Sequence, residues 1–395
     1  MLKRRSVRIC PEGVYYACVL GFIVVGATLR DINLLFVLAG LMVGPFLFNW
    51  RMVALSLGRL AVDRKVADYV TAGHPFPVEI GCENQRPRLG SWVLVFEDAV
   101  VPEPGDGNPA EGEVTRAGVI LPYVAPGSRS QAAYRLTLPR RGRYRFGPLQ
   151  VSTRFPLGLL KASVRLPKYG RILVGPRLGQ LTPHWLHLLD TQRFGHQQVQ
   201  HRQGPIDGDY YGLREWQPGD SKRWIHWRAT ARLGRLAVRE FERQQEHDLV
   251  LILDLWVPPE AEPADRARVE LAISFSATVV EEMSRRGRSR LTVAVAGEPA
   301  GCWSGRATPV FGRQILERLA MVHPISEDRL AALVGGMVLD VPLGARLLVV
   351  STRSGNLGHL HRSADFADKL RHQRALANVI WLDVGSPQMN HLFQW

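Results

Sequence analysis

Two apolar stretches separated by a charged pair constrain this chain before anything else does. Val14–Leu29 reads VYYACVLGFIVVGATL and Ile32–Phe48 reads INLLFVLAGLMVGPFLF. A helix that crosses a bilayer needs roughly 17–25 mostly apolar residues. Each stretch lies near the lower limit, and Val7–Tyr16 and Asn49–Leu57 can lengthen them at their ends. The break between them is Arg30-Asp31, followed by Asn33. A charged pair is costly at the bilayer centre, so it belongs at an interface, in a tight turn. Lys3, Arg4, Arg5 and Arg8 precede the first stretch, and Arg51, Arg59, Arg64 and Lys65 follow the second. Positive flanks favour the cytoplasmic side. The expectation is a transmembrane helical hairpin over residues 1–57, with both ends and the large soluble part in the cytoplasm. The competing reading is a cleaved signal peptide followed by a core helix. It lacks an A-x-A-like site and a polar start after it, because the chain turns apolar again at once.

The remaining length, out of 395 residues, leaves room for two or three domains. A net charge of +14 implies attraction to something anionic: a phospholipid surface, nucleic acid or an acidic partner. The four cysteines, Cys10, Cys18, Cys82 and Cys302, are far apart. They have neither zinc-ligand spacing nor the look of a disulfide framework. No cofactor is expected, since no phosphate-binding glycine loop or metal constellation appears.

From about Leu60 to Val174 short alternating runs dominate: FPVEI at Phe76–Ile80, WVLVF at Trp92–Phe96, AYRLTL at Ala133–Leu138, then Tyr144–Phe146 and Leu149–Ser152. Gly and Pro punctuate them and no helix-length amphipathic segment intervenes, which predicts a β-sandwich domain over 58–178. Pro102–Gly118 is polar and Gly/Pro-rich, and reads as a surface loop. Residues 179–245 form a linker and a charged segment. His184, His187, His196 and His201 lie in that linker; no Cys, Asp or Glu stands with them at ligand spacing, so connector histidines are the simpler reading.

From 246 onward strands and helices alternate. Asp248–Leu255 (DLVLILDL) is a continuous apolar run ending at Asp254 and reads as a central strand buried on both faces. Ala264–Arg286 is a helix with Val269, Ile273, Ser276, Val280 and Met283 on one stripe. Strands follow at Leu291–Ala296, Ala345–Ser351 and Asn378–Val384, with helices at Gln314–Met321 and Ala364–Arg374. This pattern predicts an α/β domain with a mostly parallel sheet.

The densest chemistry lies at Asp207–Glu242, DGDYYGLREWQPGDSKRWIHWRATARLGRLAVREFE. Opposite charges are interleaved with Trp216, Trp224, Trp227 and Phe241. Arginines that fork onto carboxylates and stack on aromatics suit interfaces and partly buried ion networks. The expected network or interaction surface comprises Arg214, Glu215, Asp220, Arg223, Trp224, His226, Trp227, Arg228, Arg232, Arg239 and Glu240. Within it Pro218-Gly219-Asp220 is a turn, and Asp220 is placed to cap a short helix starting at Ser221. Arg223, His226 and Trp227 then share a helix face. Two other chemistries fit the same residues: a hydrolase centred on Asp220 and His226, with Ser221 nearby, and an anion or nucleic-acid grip by the basic residues from Lys222 to Arg239. Glu215, Asp220, Glu240 and Glu242 offset those cations, so nucleic acid is not expected.

This segment resembles the signature of the bacterial family known as domain of unknown function 58. Arg141–Leu149 (RGRYRFGPL) is similar to that family's strand-turn-strand, and Phe155–Leu159 (FPLGL) to the turn that follows, with Arg154 where an Asp is usual. The resemblance implies a membrane hairpin, a β-rich domain, the signature, and a von Willebrand factor A-like α/β domain. It also implies partners: AAA+ ATPases of the MoxR type and transglutaminase-like membrane proteins. The von Willebrand factor A fold often holds a divalent metal through D-x-S-x-S at the end of its first strand. Here Asp254 stands in the Asp position, while Trp256 and Pro258 fill the serine positions and offer no side-chain oxygen. A lone carboxylate is a poor divalent site, so no metal is expected and Asp254 reads as a hydrogen-bonded strand end. The overall expectation is a non-enzymatic, membrane-tethered scaffold or adaptor in the bacterial inner membrane.

Overall fold

The computed structural model describes residues 5–103, 114–185, 210–217, 220–241, 248–287, 289–330, 332–333, 345–354 and 379–395. His187, His196, His201, the middle of the Pro102–Gly118 segment and the helix expected at Ala364–Arg374 lie outside the described residues. The chain divides into two compact units. One is Met1–Gly179 with Ile273–Ala277 and Arg313–Pro324; the other is Gln180–Ala272, Thr278–Gly312 and Ile325–Trp395.

The first unit opens with a strand, β1 (Arg5–Ile9), followed by helices α1 (Pro11–Arg30) and α2 (Asn33–Ser56). The helices break where the charged pair demands it: Arg30 ends α1 and Asp31 takes a left-handed φ of 48°. Both helices are long and apolar enough to cross a membrane, and only 11% of each apolar window is buried. At 1.5 Å per residue they are about 30 and 36 Å long, which matches a hydrocarbon core of about 30 Å. The N-terminal extension of the first span is corrected by β1. Pro11 is at the first helical turn, where its fixed φ suits a helix start. Val7 lies upstream of it, in a strand paired antiparallel with β10 (Leu160–Leu166), with Arg8 opposite Lys161.

The intervening strands are β2 (Leu60–Lys65), β3 (Tyr69–Thr71), β4 (Phe76–Asn84), β5 (Ser91–Pro102), β6 (Thr115–Val124), β7 (Arg129–Leu136), β8 (Gly142–Phe146) and β9 (Leu149–Thr153); β11 (Gly170–Gly175) follows β10. They form two sheets, one ordered β1-β10-β9-β5-β8-β11-β3 with β6 on β5, the other β2-β4-β7. One buried cluster draws on both, with Val62, Val78 and Ile80 from the smaller sheet and Phe96, Phe146, Leu149 and Val151 from the larger. Strand β4 alternates buried and exposed residues along its first half, as a one-sided sheet requires. Inside this core Asp98 accepts from Arg64 and, at 2.6 Å, from Tyr134 Oη. Arg64 also lies 4.5 Å from the Phe146 ring centre. Burial, and then the hydrogen bond to Asp98, push the Tyr134 phenol well above its ordinary pKa.

Two short antiparallel pairs open and close the second unit: β12 (Gln180–Leu181) with the terminal β20 (Phe393–Gln394), and β13 (Tyr210–Glu215) with β14 (Ala237–Phe241). Between β13 and β14 lies α3 (Trp227–Leu233). A five-stranded sheet follows, ordered β17-β16-β15-β18-β19, from β15 (Leu249–Asp254), β16 (Arg290–Ala296), β17 (Gly301–Arg306), β18 (Arg346–Ser351) and β19 (Val379–Asp383). Strands β16, β15, β18 and β19 run parallel, and β17 is an antiparallel edge. Central strand β15 is buried at all six positions. Helices α4 (Pro263–Arg286), α5 (Pro309–Leu319) and α6 (Pro387–Leu392) complete the elements used below. In α4, a capping box joins Glu262 and Asp265, and Gly287 closes the far end with φ 71°.

Candidate functional site

Between β13 and β14 the chain folds back on itself through a few well-placed hydrogen bonds. Arg214 grips Asp220 with Nη1 and Nη2, at 2.6 Å each, and the Gln217 amide donates to the same carboxylate at 2.9 Å. Asp220 therefore fastens the turn to β13 and is not the expected helix cap; Ser221 Oγ accepts the Arg223 amide instead. His226 starts α3: its Nδ1 accepts the Ala229 amide at 3.1 Å and its own amide donates to the Ala237 carbonyl. Thr230 Oγ1 accepts the Ala237 amide, which ties α3 to β14. Gly234 ends the helix at φ 66°, a conformation that favours glycine. The expected shared helix face of Arg223, His226 and Trp227 is not formed, because the 3-10 turn Lys222–Trp224 ends at Ile225 and α3 starts anew after His226.

The expected charge network is smaller than the composition suggests. Its ion pairs among the described residues include Arg214–Asp220 and the exposed Arg235–Glu215 contact at 3.4 Å. Arg223, Arg228, Arg232 and Arg239 are exposed, Trp224 is half-buried, and the side chain of Glu240 lies outside the described residues. The physical reason is spacing. Among the described residues β13 pairs with β14 alone, and Arg214 meets Asp220 across the turn while Arg223, Arg228, Arg232 and Arg239 are exposed. Trp227 is 66% exposed, and Leu213, Leu233 and Leu236 are exposed as well. An apolar and cationic surface results. Trp227 is the residue that spacing could not single out among the tryptophans.

A second cluster sits where β15 and β18 end. Asp254 is buried, and its carboxylate accepts from Ser351 Oγ at 2.8 Å, Arg353 Nε at 2.9 Å and Arg353 Nη2 at 3.3 Å. Arg353 also forks onto Asp328 at 2.8 and 3.1 Å and lies 5.4 Å from the Trp256 ring centre. Asp254 is thus a hydrogen-bonded strand end, held by a guanidinium and a hydroxyl instead of loop amides. Burial works against the charged Arg353, but hydrogen bonds to Asp328 and Asp254 outweigh it and raise its pKa. Arg353 and Asp328 were missed in the sequence; the run Ser351-Thr352-Arg353 shows a cation, but nothing local ties it to Asp254, 99 residues earlier.

These two arrangements lie in one stretch of the chain. Residues 212–392 match the family model described as Protein of unknown function DUF58. The DUF58 match starts inside β13 and ends at the last residue of α6, so it takes in the β13–α3–β14 surface and the Asp254 cluster. No curated protein matches the chain. Among solved structures, a CARDB domain from Pyrococcus furiosus is 15% identical over 29% of this chain and 91% of its own, with a TM-score of 0.18. A beta-glucosidase from Listeria innocua is 12% identical, over 30% of this chain and 16% of its own, with a TM-score of 0.21. The sporulation control protein Spo0M from Bacillus subtilis is 13% identical, over 34% and 56%, with a TM-score of 0.19. Likenesses at these TM-scores do not bear on fold or function.

Proposed function

We propose that this chain is a non-enzymatic, membrane-tethered scaffold whose β13–α3–β14 surface docks a protein partner. The observation that carries the reading is the exposed Trp227 set among Arg223, Arg228 and Arg232, while the acid–base candidates Asp220 and His226 hold the fold together. Large exposed aromatics and arginines are the residue types that anchor interfaces. The order of the five-stranded sheet, with its antiparallel edge β17, supports a von Willebrand factor A-like reading, in which Arg353 provides the positive charge that a metal brings elsewhere. The basic flanks Arg8, Arg51 and Arg59 support an anchor in the bacterial inner membrane with both soluble units in the cytoplasm. The family resemblance makes a MoxR-type AAA+ ATPase the partner to test first and a transglutaminase-like membrane protein the second.

The test uses the full chain in mild detergent with a purified ATPase of that type. Binding is expected, and Trp227→Ala and Arg228→Glu should each weaken it at least tenfold. Equal binding by both variants removes this surface from the reading. Loss of biological activity in a His226→Gln variant that still folds and binds would favour the hydrolase instead. Affinity for a DNA or RNA duplex that falls steeply with salt would favour the anion grip.

A further inference from the structure

The first unit carries an apolar and basic face at the foot of the helical hairpin, and four contacts, three of them to α2, fix its height along the hairpin. The Leu157 amide donates to Asn49 Oδ1 at 3.2 Å. Cys10, just before α1, donates its amide to the Leu159 carbonyl at 2.9 Å. Ser91 Oγ donates to the carbonyl of Ser56, the last residue of α2, at 3.0 Å, and Arg86 Nη1 donates to the Leu55 carbonyl at 2.6 Å. The turn Arg154–Leu159 and the start of β5 are therefore fastened to the hairpin itself.

The residues held there are unlike those of an ordinary solvated edge. Trp92 stacks on Phe155 with ring centres 5.5 Å apart and touches Tyr123 at 4.2 Å. Trp92, Leu157 and Trp50 are 41%, 49% and 53% exposed. Exposed cations accompany them: Arg8 on β1, Arg51 on α2 and Arg154 beside Phe155. The depth follows from helix geometry. Asn49 is seven residues before the end of α2, about 10 Å along the axis. Helix α2 exceeds a hydrocarbon core of about 30 Å by about 6 Å. Leu157 then lies near the hydrocarbon boundary, level with Trp50, with Arg51 one residue beyond. Asn49 tells the same story. It is fully buried although it sits in an apolar helix, and its side-chain carbonyl accepts from the protein while its Nδ2 has no partner among the described residues. Tryptophan, tyrosine and arginine together are the side chains that settle at a membrane–water interface.

We propose that this face beds into the headgroup layer of the bilayer, with Trp50, Trp92, Phe155 and Leu157 at the acyl boundary and Arg8, Arg51 and Arg154 on anionic phospholipid headgroups. The proposal rests on the reading that α1 and α2 span the membrane. The β unit is then a platform seated on the lipid, not a module hanging from a flexible tether.

The test is a depth measurement on the full chain in vesicles. Spin labels are placed singly at Leu157→Cys, Leu41→Cys and His74→Cys, with the exposed Cys18 and Cys302 changed to Ser. His74 lies just before β4, at the end of that strand away from Asn84, which pairs with Leu60 next to α2. The vesicles are phosphatidylcholine, with or without phosphatidylglycerol. The Leu157 label should collide with oxygen as a lipid-exposed site does, and its collisions with a water-soluble nickel chelate should be at least threefold fewer than those of the His74 label. Phosphatidylglycerol should deepen this protection, and Arg8→Gln with Arg154→Gln should remove the deepening. A Leu157 label as open to the chelate as His74, while Leu41 is in hydrocarbon, overturns the proposal and leaves the hairpin intact. A Leu41 label open to the chelate overturns the hairpin reading and the proposal with it. Shielding of Leu157 from chelate and oxygen alike means a protein cover and also overturns it. Protection that ignores phosphatidylglycerol overturns the role given to the arginines.

Discussion

At the scale of single residues, the second unit depends on a carboxylate that has almost no water. Between them, Arg353 and Ser351 donate to both oxygens of Asp254. Removing one partner of such a pair leaves an uncompensated buried charge, at a cost of about 3–5 kcal/mol. Arg353 keeps 24% of its side chain exposed, which moves the expectation to the lower end. Arg353→Ala should therefore lower stability by about 3 kcal/mol in denaturant melts, and adding Asp254→Asn should restore part of it. A melt unchanged in the single variant would show that Asp254 is solvated some other way. The second residue is Cys82 in β4. Burial pushes its thiol up to about 11 from an ordinary 9.0, against the pull of Arg86 and with a smaller push from Asp63. The folded chain thus holds a proton that the unfolded chain releases between those values, so this group's contribution to stability is full below pH 9.0 and is lost as pH rises towards 11. Iodoacetamide at pH 8 should modify the exposed Cys302 readily and leave Cys82 untouched until the protein unfolds. Modification of both at equal rates would contradict the burial.

At the scale of elements, α3 is only seven residues long, too short to persist without its ends. His226 caps one end, Gly234 closes the other, and Thr230 binds β14. His226→Ala should cost about 1 kcal/mol, as the loss of a cap does, and hydrogen exchange over Trp227–Leu233 should quicken. Asn at the same position has the side-chain acceptor a cap needs and should rescue most of it. If His226→Asn fails as badly as His226→Ala in exchange, the imidazole does something besides capping. The elements also show what the sequence makes legible. The run LVLIL (Leu249–Leu253) is apolar at every position because β15 is buried on both faces, and that alone places it centrally. Helix α4 declares itself through its stripe and through Gly287. The break at Arg30-Asp31 is equally plain. Strand β1 is different: RSVRI has too few residues for a period, and its partner is β10, far along the chain. The signature segment misleads in another way: alternating charge suggests many pairs, whereas among the described residues Arg223, Arg228, Arg232 and Arg239 are exposed and Arg214 meets Asp220. The Asp254 cluster is invisible for the same reason as β1: its parts meet only after the sheet is built.

At the scale of the whole molecule, β1 decides topology. It enters the same sheet as β9 and β10, which follow the hairpin, so the residues before α1 and after α2 share one side of the membrane when the helices cross it. A thiol-reactive probe that cannot cross lipid should label Ser6→Cys and Ser163→Cys from the same side of sealed vesicles, with Cys18, Cys302 and the buried Cys10 and Cys82 changed to Ser or Ala. Labelling from opposite sides would break the pairing of Ser6 with Ser163. That pairing also sets a timetable. About 150 residues separate Ile9 from Leu160, and at roughly 5–20 residues per second a ribosome needs on the order of ten to thirty seconds to make them. The hairpin is complete and able to insert long before β10 exists. For that interval the strand has no partner from β10, and the charge of Arg8 on its edge discourages unwanted ones. Where α1 and α2 cross a membrane, their insertion therefore precedes the clasp of β1 onto β10.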